Sequence, residues 1–136
     1  MIFSKQEQDK LRQLTVSAVI LFGSRAQETQ TEKSDFDIGI LVSDTKILFN
    51  HEERKNLYDA LYELLSPIIE TVATIDVVFL QTAPAELQAH VMKYGKALFE
   101  IAPNIFANYK ARVMLLYADF APLRAIFHRG VLSQIK

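Results

Sequence analysis

One α/β domain is the fold class this sequence predicts, and three observations predict it. Apolar, β-branched runs alternate with segments of helical periodicity, and capping residues, Gly and Pro fall between them. The 136 residues suffice for one buried core and leave no room for a second full domain. Ser4-Lys5-Gln6-Glu7 has the spacing of a capping box, so a short helix is expected to about Leu14, with Leu11 and Leu14 turned inward. Val16 to Phe22 reads as a buried strand ended by Gly23, and Asp35 to Val42 as a second strand. Gln27 to Ser34 between them is too polar for core. Asn50 with Glu53 three places on opens the next helix, carrying Leu57, Leu61, Leu64 and Leu65 until Pro67. Thr74 to Leu80 is the third strand. A helix starting near Pro84 carries Leu87, Val91 and Tyr94 and is expected to end on Gly95 as a C-terminal cap. Lys96 to Ile101 reads as a short edge strand. A helical pattern follows Pro103, which divides the domain into a core over 1–102 and a helical tail over 103–136.

Composition narrows the function classes. Fifteen Lys and Arg oppose sixteen Asp and Glu, so the net charge of −1 argues against a protein that coats nucleic acid. Half the residues are hydrophobic, which argues against intrinsic disorder. With no cysteine there is no disulfide scaffold, thiolate chemistry or Cys-ligated zinc. No apolar run is long enough to span a bilayer, and the N-terminus carries acids where a signal peptide is apolar. The expectation is a soluble, cytoplasmic protein with no membrane partner.

The chemistry concentrates between Gly23 and Asp37. Gly23-Ser24 follows a buried strand, and Ser24 and Gln27 are spaced to cap one helical turn. Such a junction presents free backbone N–H groups to a phosphate, although a capped turn that binds nothing is the plainer reading of Gly-Ser alone. Asp35 and Asp37, two apart on a strand, project to one side while Phe36, Ile38 and Ile40 project to the other. Like charges so close raise one pKa unless a cation lies between them, and hard oxygens at a strand end suit Mg²⁺. Asp76 begins an otherwise apolar strand and needs compensation unless it lies at the wet rim of the sheet. Taken together, a phosphate cradle and three aspartates on two strands suit two-metal phosphoryl transfer. The ions would sit about 3.5–4 Å apart, and a carboxylate would help deprotonate the incoming hydroxyl.

Gly23-Ser24, ten intervening residues and Asp35-Phe36-Asp37 resemble the signature of the DNA polymerase β nucleotidyltransferase superfamily. The fuller string, Leu21-Phe22-Gly23-Ser24-Arg25-Ala26 with Ser34-Asp35-Phe36-Asp37-Ile38, is similar to the minimal nucleotidyltransferases, the MntA-type antitoxins of prokaryotic HEPN toxins of HepT type. Asp76, the stretch Tyr94 to Glu100 and a Tyr-bearing C-terminal helix extend the resemblance over nearly the whole chain. It implies a nucleotidyltransferase fold, a small mixed sheet flanked by helices. It also implies an antitoxin of a type VII-like system that transfers AMP from ATP, with Mg²⁺, to a tyrosine of its HEPN toxin. Gly23 and Ser24 would then hold the triphosphate, with Arg25 touching phosphate or simply solvated. Asp35 and Asp37 would bind two metals, and Asp76 would complete the metal site and act as base. Relatives usually carry Gly where this chain has Glu28, a strained choice if that position needs positive φ. Gly39 either leaves room beside the metals or serves packing.

His51, His90 and His128 have no ligand spacing, and no basic stripe interleaves with aromatics, so direct nucleic-acid binding is not expected. In the tail, Ile105, Tyr109, Val113, Leu116, Phe120, Leu123 and Phe127 form one apolar stripe, widened by Met114, Leu115 and Tyr117. A second apolar face is a candidate docking surface for the toxin, and Pro122 predicts a break near Ala118 to Pro122. Two other functions fit the same residues. One is a small-molecule nucleotidyltransferase of the aminoglycoside-modifying kind, and the other is an antitoxin that neutralises by binding alone.

Overall fold

The computed structural model describes residues 3–29, 35–69 and 74–119. In chain order these form α1 (Lys5–Gln13), β1 (Val16–Phe22), β2 (Phe36–Val42), α2 (His51–Leu65), β3 (Ile75–Phe79), α3 (Ala85–Tyr94), β4 (Lys96–Glu100) and α4 (Ile105–Asp119). Two 3-10 turns, Thr45–Phe49 and Leu80–Thr82, complete the set. The strands make one mixed sheet in the order β3-β2-β1-β4. β1 runs antiparallel to β2 and β4, whereas β2 and β3 are parallel. A sheet edged by β4 matches the sequence expectation, and so does the sheet flanked by helices.

The helix starts follow from their caps. Ser4 and Glu7 exchange side-chain and backbone hydrogen bonds, with the Glu7 N–H donating to Ser4 Oγ at 3.1 Å and the Ser4 N–H donating to Glu7 Oε1 at 2.7 Å. Asn50 Oδ1 accepts from the Glu53 N–H at 3.0 Å and starts α2. Pro84 precedes the first residue of α3. The elements end within a residue or so of their sequence boundaries, the largest change being at β3, where Leu80 turns into a 3-10 turn instead of extending the strand.

Alternation along the strands sends side chains into two apolar layers. On one face Val19, Ile38, Ile40, Val77 and Phe79 meet Leu11 of α1 and Leu57, Leu61 and Leu65 of α2. On the other, Ala18, Ile20, Phe22 and Leu41 meet Val91 and Met92 of α3 and Val113 of α4. Each fully buried Leu or Ile contributes about 1.5–3 kcal/mol, so the two layers anchor the sheet from both sides. Gln81 seals the end of β2, accepting from the Val42 N–H at 2.9 Å and donating to the Val42 carbonyl at 2.8 Å.

One reading changes. Tyr94, taken with Leu87 and Val91, instead faces solvent at 42% exposure, because α3 buries only Ala89, Val91 and Met92. Gly95 caps the end of α3 as expected, in an extended conformation with φ −72°. A Cβ there would lie 2.4 Å from the Val91 carbonyl oxygen and 2.7 Å from Ile20 Cγ2, so closeness of α3 to β1 demands glycine. Of the two readings of Gly39, packing holds, because its Cβ would meet Leu80 Cδ1 at 2.8 Å.

The α4 helix docks lightly. Val113 is buried, Ile105, Tyr109 and Met114 are partly so, and the Tyr109 hydroxyl donates to Gln88 Oε1 at 2.6 Å. Burial raises the Tyr109 pKa, against a smaller lowering by Arg112. Leu116, placed on the packed stripe by its spacing, is 50% exposed, and Leu115 is 65% exposed. The remaining tail residues and the expected break at Pro122 lie outside the described residues. Gly95→Ala should lower stability by about 2 kcal/mol, the cost of forcing a methyl against backbone, measured by urea unfolding.

Candidate active site

Asp37 and Asp76 are direct partners in the parallel β2–β3 ladder. One step earlier, Phe36 pairs with Ile75, which brings Asp35 beside Thr74 at the mouth of the same two strands. The Phe36 N–H donates to the Thr74 carbonyl at 2.9 Å, and the Thr74 hydroxyl donates to Asp35 Oδ1. Because Ile38 and Ile40 enter the α1–α2 layer, Asp37 points to the opposite face, two residues along from Asp35. The three predicted aspartates are thus gathered at one end of one strand pair.

β1 completes the group. Phe22 pairs with Asp37, and the chain leaves the strand through Gly23 at φ +76°. A Cβ on Gly23 would fall 2.2 Å from Asp37 Oδ2. Glycine is required here twice, once for the backbone conformation and once for the carboxylate lying against it. Residues 24–28 then form a tight turn with Ala26 and Gln27 both donating to the Gly23 carbonyl, each at 3.2 Å. This is the single helical turn that the sequence suggests at Gly23-Ser24, with the Gly23 carbonyl accepting both bonds. The N–H of Thr29 donates to the Ser24 carbonyl at 2.9 Å and closes the loop.

Electrostatics mark Asp37. Burial first, then the charges of Asp76 and Asp35, raise its pKa above the ordinary 3.8. This is the repulsion expected of clustered carboxylates. Among the described residues no three His, Asp or Glu side chains form a ready metal cage. The donor chemistry nevertheless fits Mg²⁺, since Asp37 and Asp76 offer adjacent hard oxygens and Asp35 retains a second oxygen beyond the one bound by Thr74.

Residues 5–104 match the family model of polymerase β nucleotidyltransferases. The chain belongs to that family. No curated protein matches it in sequence. Among solved structures, this nucleotidyltransferase is similar to a chain of a toxin–antitoxin complex with AMP-PNP, at 25% identity and a TM-score of 0.69, covering 96% of this chain and 99% of that one. It is also similar in fold to a chain of the MntA–HepT toxin–antitoxin, at 21% identity and a TM-score of 0.62, covering 95% and 99%. A third likeness, also at 21% and 0.62 and covering 94% and 98%, is to a complex of a tri-AMPylated Shewanella oneidensis HEPN toxin with an MNT antitoxin.

Two features of the nucleotidyltransferase depart from the sequence reading. The Arg25 guanidinium is not simply solvated, because it stacks 3.9 Å from the centroid of Phe36, between Asp35 and Asp37 in sequence. Thr74 was not singled out as a partner of Asp35. Nothing local marks it, because the two residues lie 39 positions apart in sequence.

The suspected strain at Glu28 is real, with φ at +60°. Its carboxylate lies 3.7 Å from Lys96 Nζ, but both side chains are more than half exposed, so the ion pair offsets little. Glu28→Gly should raise stability by about 0.5–1 kcal/mol, after the added freedom of the unfolded chain is subtracted, as read by urea unfolding. Asp37→Asn should raise the thermal unfolding midpoint at pH 7. A carboxyl with a raised folded pKa costs stability once pH passes that value and costs nothing below the unfolded value. The gain should therefore shrink as pH falls through the raised value towards 3.8, followed by calorimetry across that range.

Proposed function

We propose that this nucleotidyltransferase is an MNT antitoxin that transfers AMP from ATP to a tyrosine of a cognate HEPN toxin. The observation that carries the reading is the Asp37–Asp76 pair, set beside Gly23 and within two residues of Asp35. A partner that neutralises by contact alone has no use for acids held together at such electrostatic cost. The family match and the toxin–antitoxin complexes among similar structures support the partner, and the tri-AMPylated toxin in one of them motivates the reaction.

In this reading the Gly23-Ser24 turn binds the triphosphate, with Gly23 allowing close approach to the backbone. Asp35, Asp37 and Asp76 would hold Mg²⁺, which would supply charge neutralisation at the phosphate oxygens. The acceptor phenol has a pKa near ~10, so Asp76 takes its proton as the oxygen attacks the α-phosphorus. A bond forms from the tyrosine oxygen to phosphorus, the α–β bridging bond breaks, and pyrophosphate leaves with that electron pair. Arg25, stacked on Phe36, steadies the strand between the two metal-binding acids.

The exposed Leu115 and Leu116 on α4 provide an apolar docking face for the toxin. Replacing both with Glu should weaken the complex at least tenfold without changing the far-UV circular dichroism, as measured by surface plasmon resonance. Catalysis is tested by co-expressing the chain with its genomic neighbour and measuring intact masses and toxicity. AMP-sized increments on the neighbour should vanish with Asp35→Ala/Asp37→Ala, and toxicity should return. Full protection by the double variant with no increment on any protein would favour neutralisation by binding. Modification of an added antibiotic, but not of the neighbour, would favour a small-molecule transferase.

A further inference from the structure

We propose that Thr74 is a positioning residue for the metal site, holding the Asp35 carboxylate in a ligating orientation; this rests on the nucleotidyl-transfer reading above. The argument begins with the ladder. Asp37 opposite Asp76 is one rung of the β2–β3 pair, and Asp35 beside Thr74 continues it one alternation earlier. Residues two apart on a strand share a face, so Asp35, Asp37, Thr74 and Asp76 form a two-by-two array. Three corners carry a carboxylate, and the fourth carries a neutral hydroxyl.

That hydroxyl is committed. Thr74 donates it to Asp35 Oδ1, while its carbonyl accepts from the Phe36 N–H at 2.9 Å. One residue therefore fixes both the backbone following Asp35 and one of the Asp35 oxygens. Asp35 is exposed and stands just outside the regular strand, so it lacks the packing that orders Asp37. The Thr74 bond supplies a constraint on its side chain and leaves Oδ2 to face a cation. A fourth acid at this corner would add repulsion to a group in which Asp37 already has a raised pKa, and an apolar residue would leave Asp35 to rotate freely. A hydroxyl donor avoids both.

Outer-shell partners of this kind orient the ligand they touch, and removing one typically costs about 10–100-fold in metal affinity. The test uses Mn²⁺ as the probe, its binding to the full chain with a non-hydrolysable ATP analogue followed by electron paramagnetic resonance. Thr74→Val, which keeps the β-branched shape, should weaken Mn²⁺ binding by about tenfold or more. Thr74→Ser, which restores the hydroxyl, should bind Mn²⁺ close to the original level. In an Asp35→Asn background, Thr74→Val should cost little further, because the two residues act as a unit.

Calorimetric unfolding is measured on every variant, and Thr74→Ala repeats the comparison should Val disturb the strand. If Thr74→Val and Thr74→Ala bind Mn²⁺ as the unaltered chain does, the positioning role is overturned. If Thr74→Ser is as impaired as Thr74→Val, the hydroxyl is not the agent and the role is likewise overturned. Failure of the unaltered chain to bind Mn²⁺ would instead remove the metal-dependent reading on which the proposal rests.

Discussion

The structure turns on two aspartates held side by side against their mutual repulsion. Asp37 and Asp76 meet because β2 and β3 are parallel and in register, and that register is enforced by the apolar residues between and beyond them. Ile38, Ile40, Val77 and Phe79 enter one layer, and slipping the pairing by one residue would turn them towards the other face. The hydrophobic gain of a correctly aligned sheet is what keeps the carboxylates together. Gly23 and the small volume at Gly39 are consequences of the same alignment, one yielding to Asp37 and the other to Leu80.

Most of the elements could be read from the chain because they obey local rules. Val16 to Phe22 is apolar and β-branched, Ser4 and Asn50 carry capping oxygens, and Leu57, Leu61 and Leu65 recur at helical spacing. The three acids were also visible, since Asp35 and Asp37 share strand parity and Asp76 interrupts an apolar run. What could not be read was mostly relational. Neither the Thr74–Asp35 bond, across 39 residues, nor the stack of Arg25 on Phe36 has a local signature. Gly95 is legible as a helix end, but what demands glycine there, the closeness of α3 to β1, is not.

The tail shows the limit of periodicity from another side. Spacing placed Leu116 with Val113 on one stripe, yet the structure buries Val113 and leaves Leu116 half exposed. A helix longer than its contact with the sheet cannot bury every residue of an apolar stripe. Together with Leu115, Leu116 leaves an apolar surface on α4, the face to which the proposed function assigns the docking of the partner.

Among the described residues β3 occupies the outer position in the sheet, beside β2. Edge elements open in local fluctuations that leave the central strands intact. Detachment of β3 would carry Asp76 away from Asp37 while β1, β2 and their two apolar layers persisted. In the proposed reading the aspartate arrangement and the global fold therefore have separate thresholds, and warming would separate Asp37 from Asp76 before it unfolded the domain.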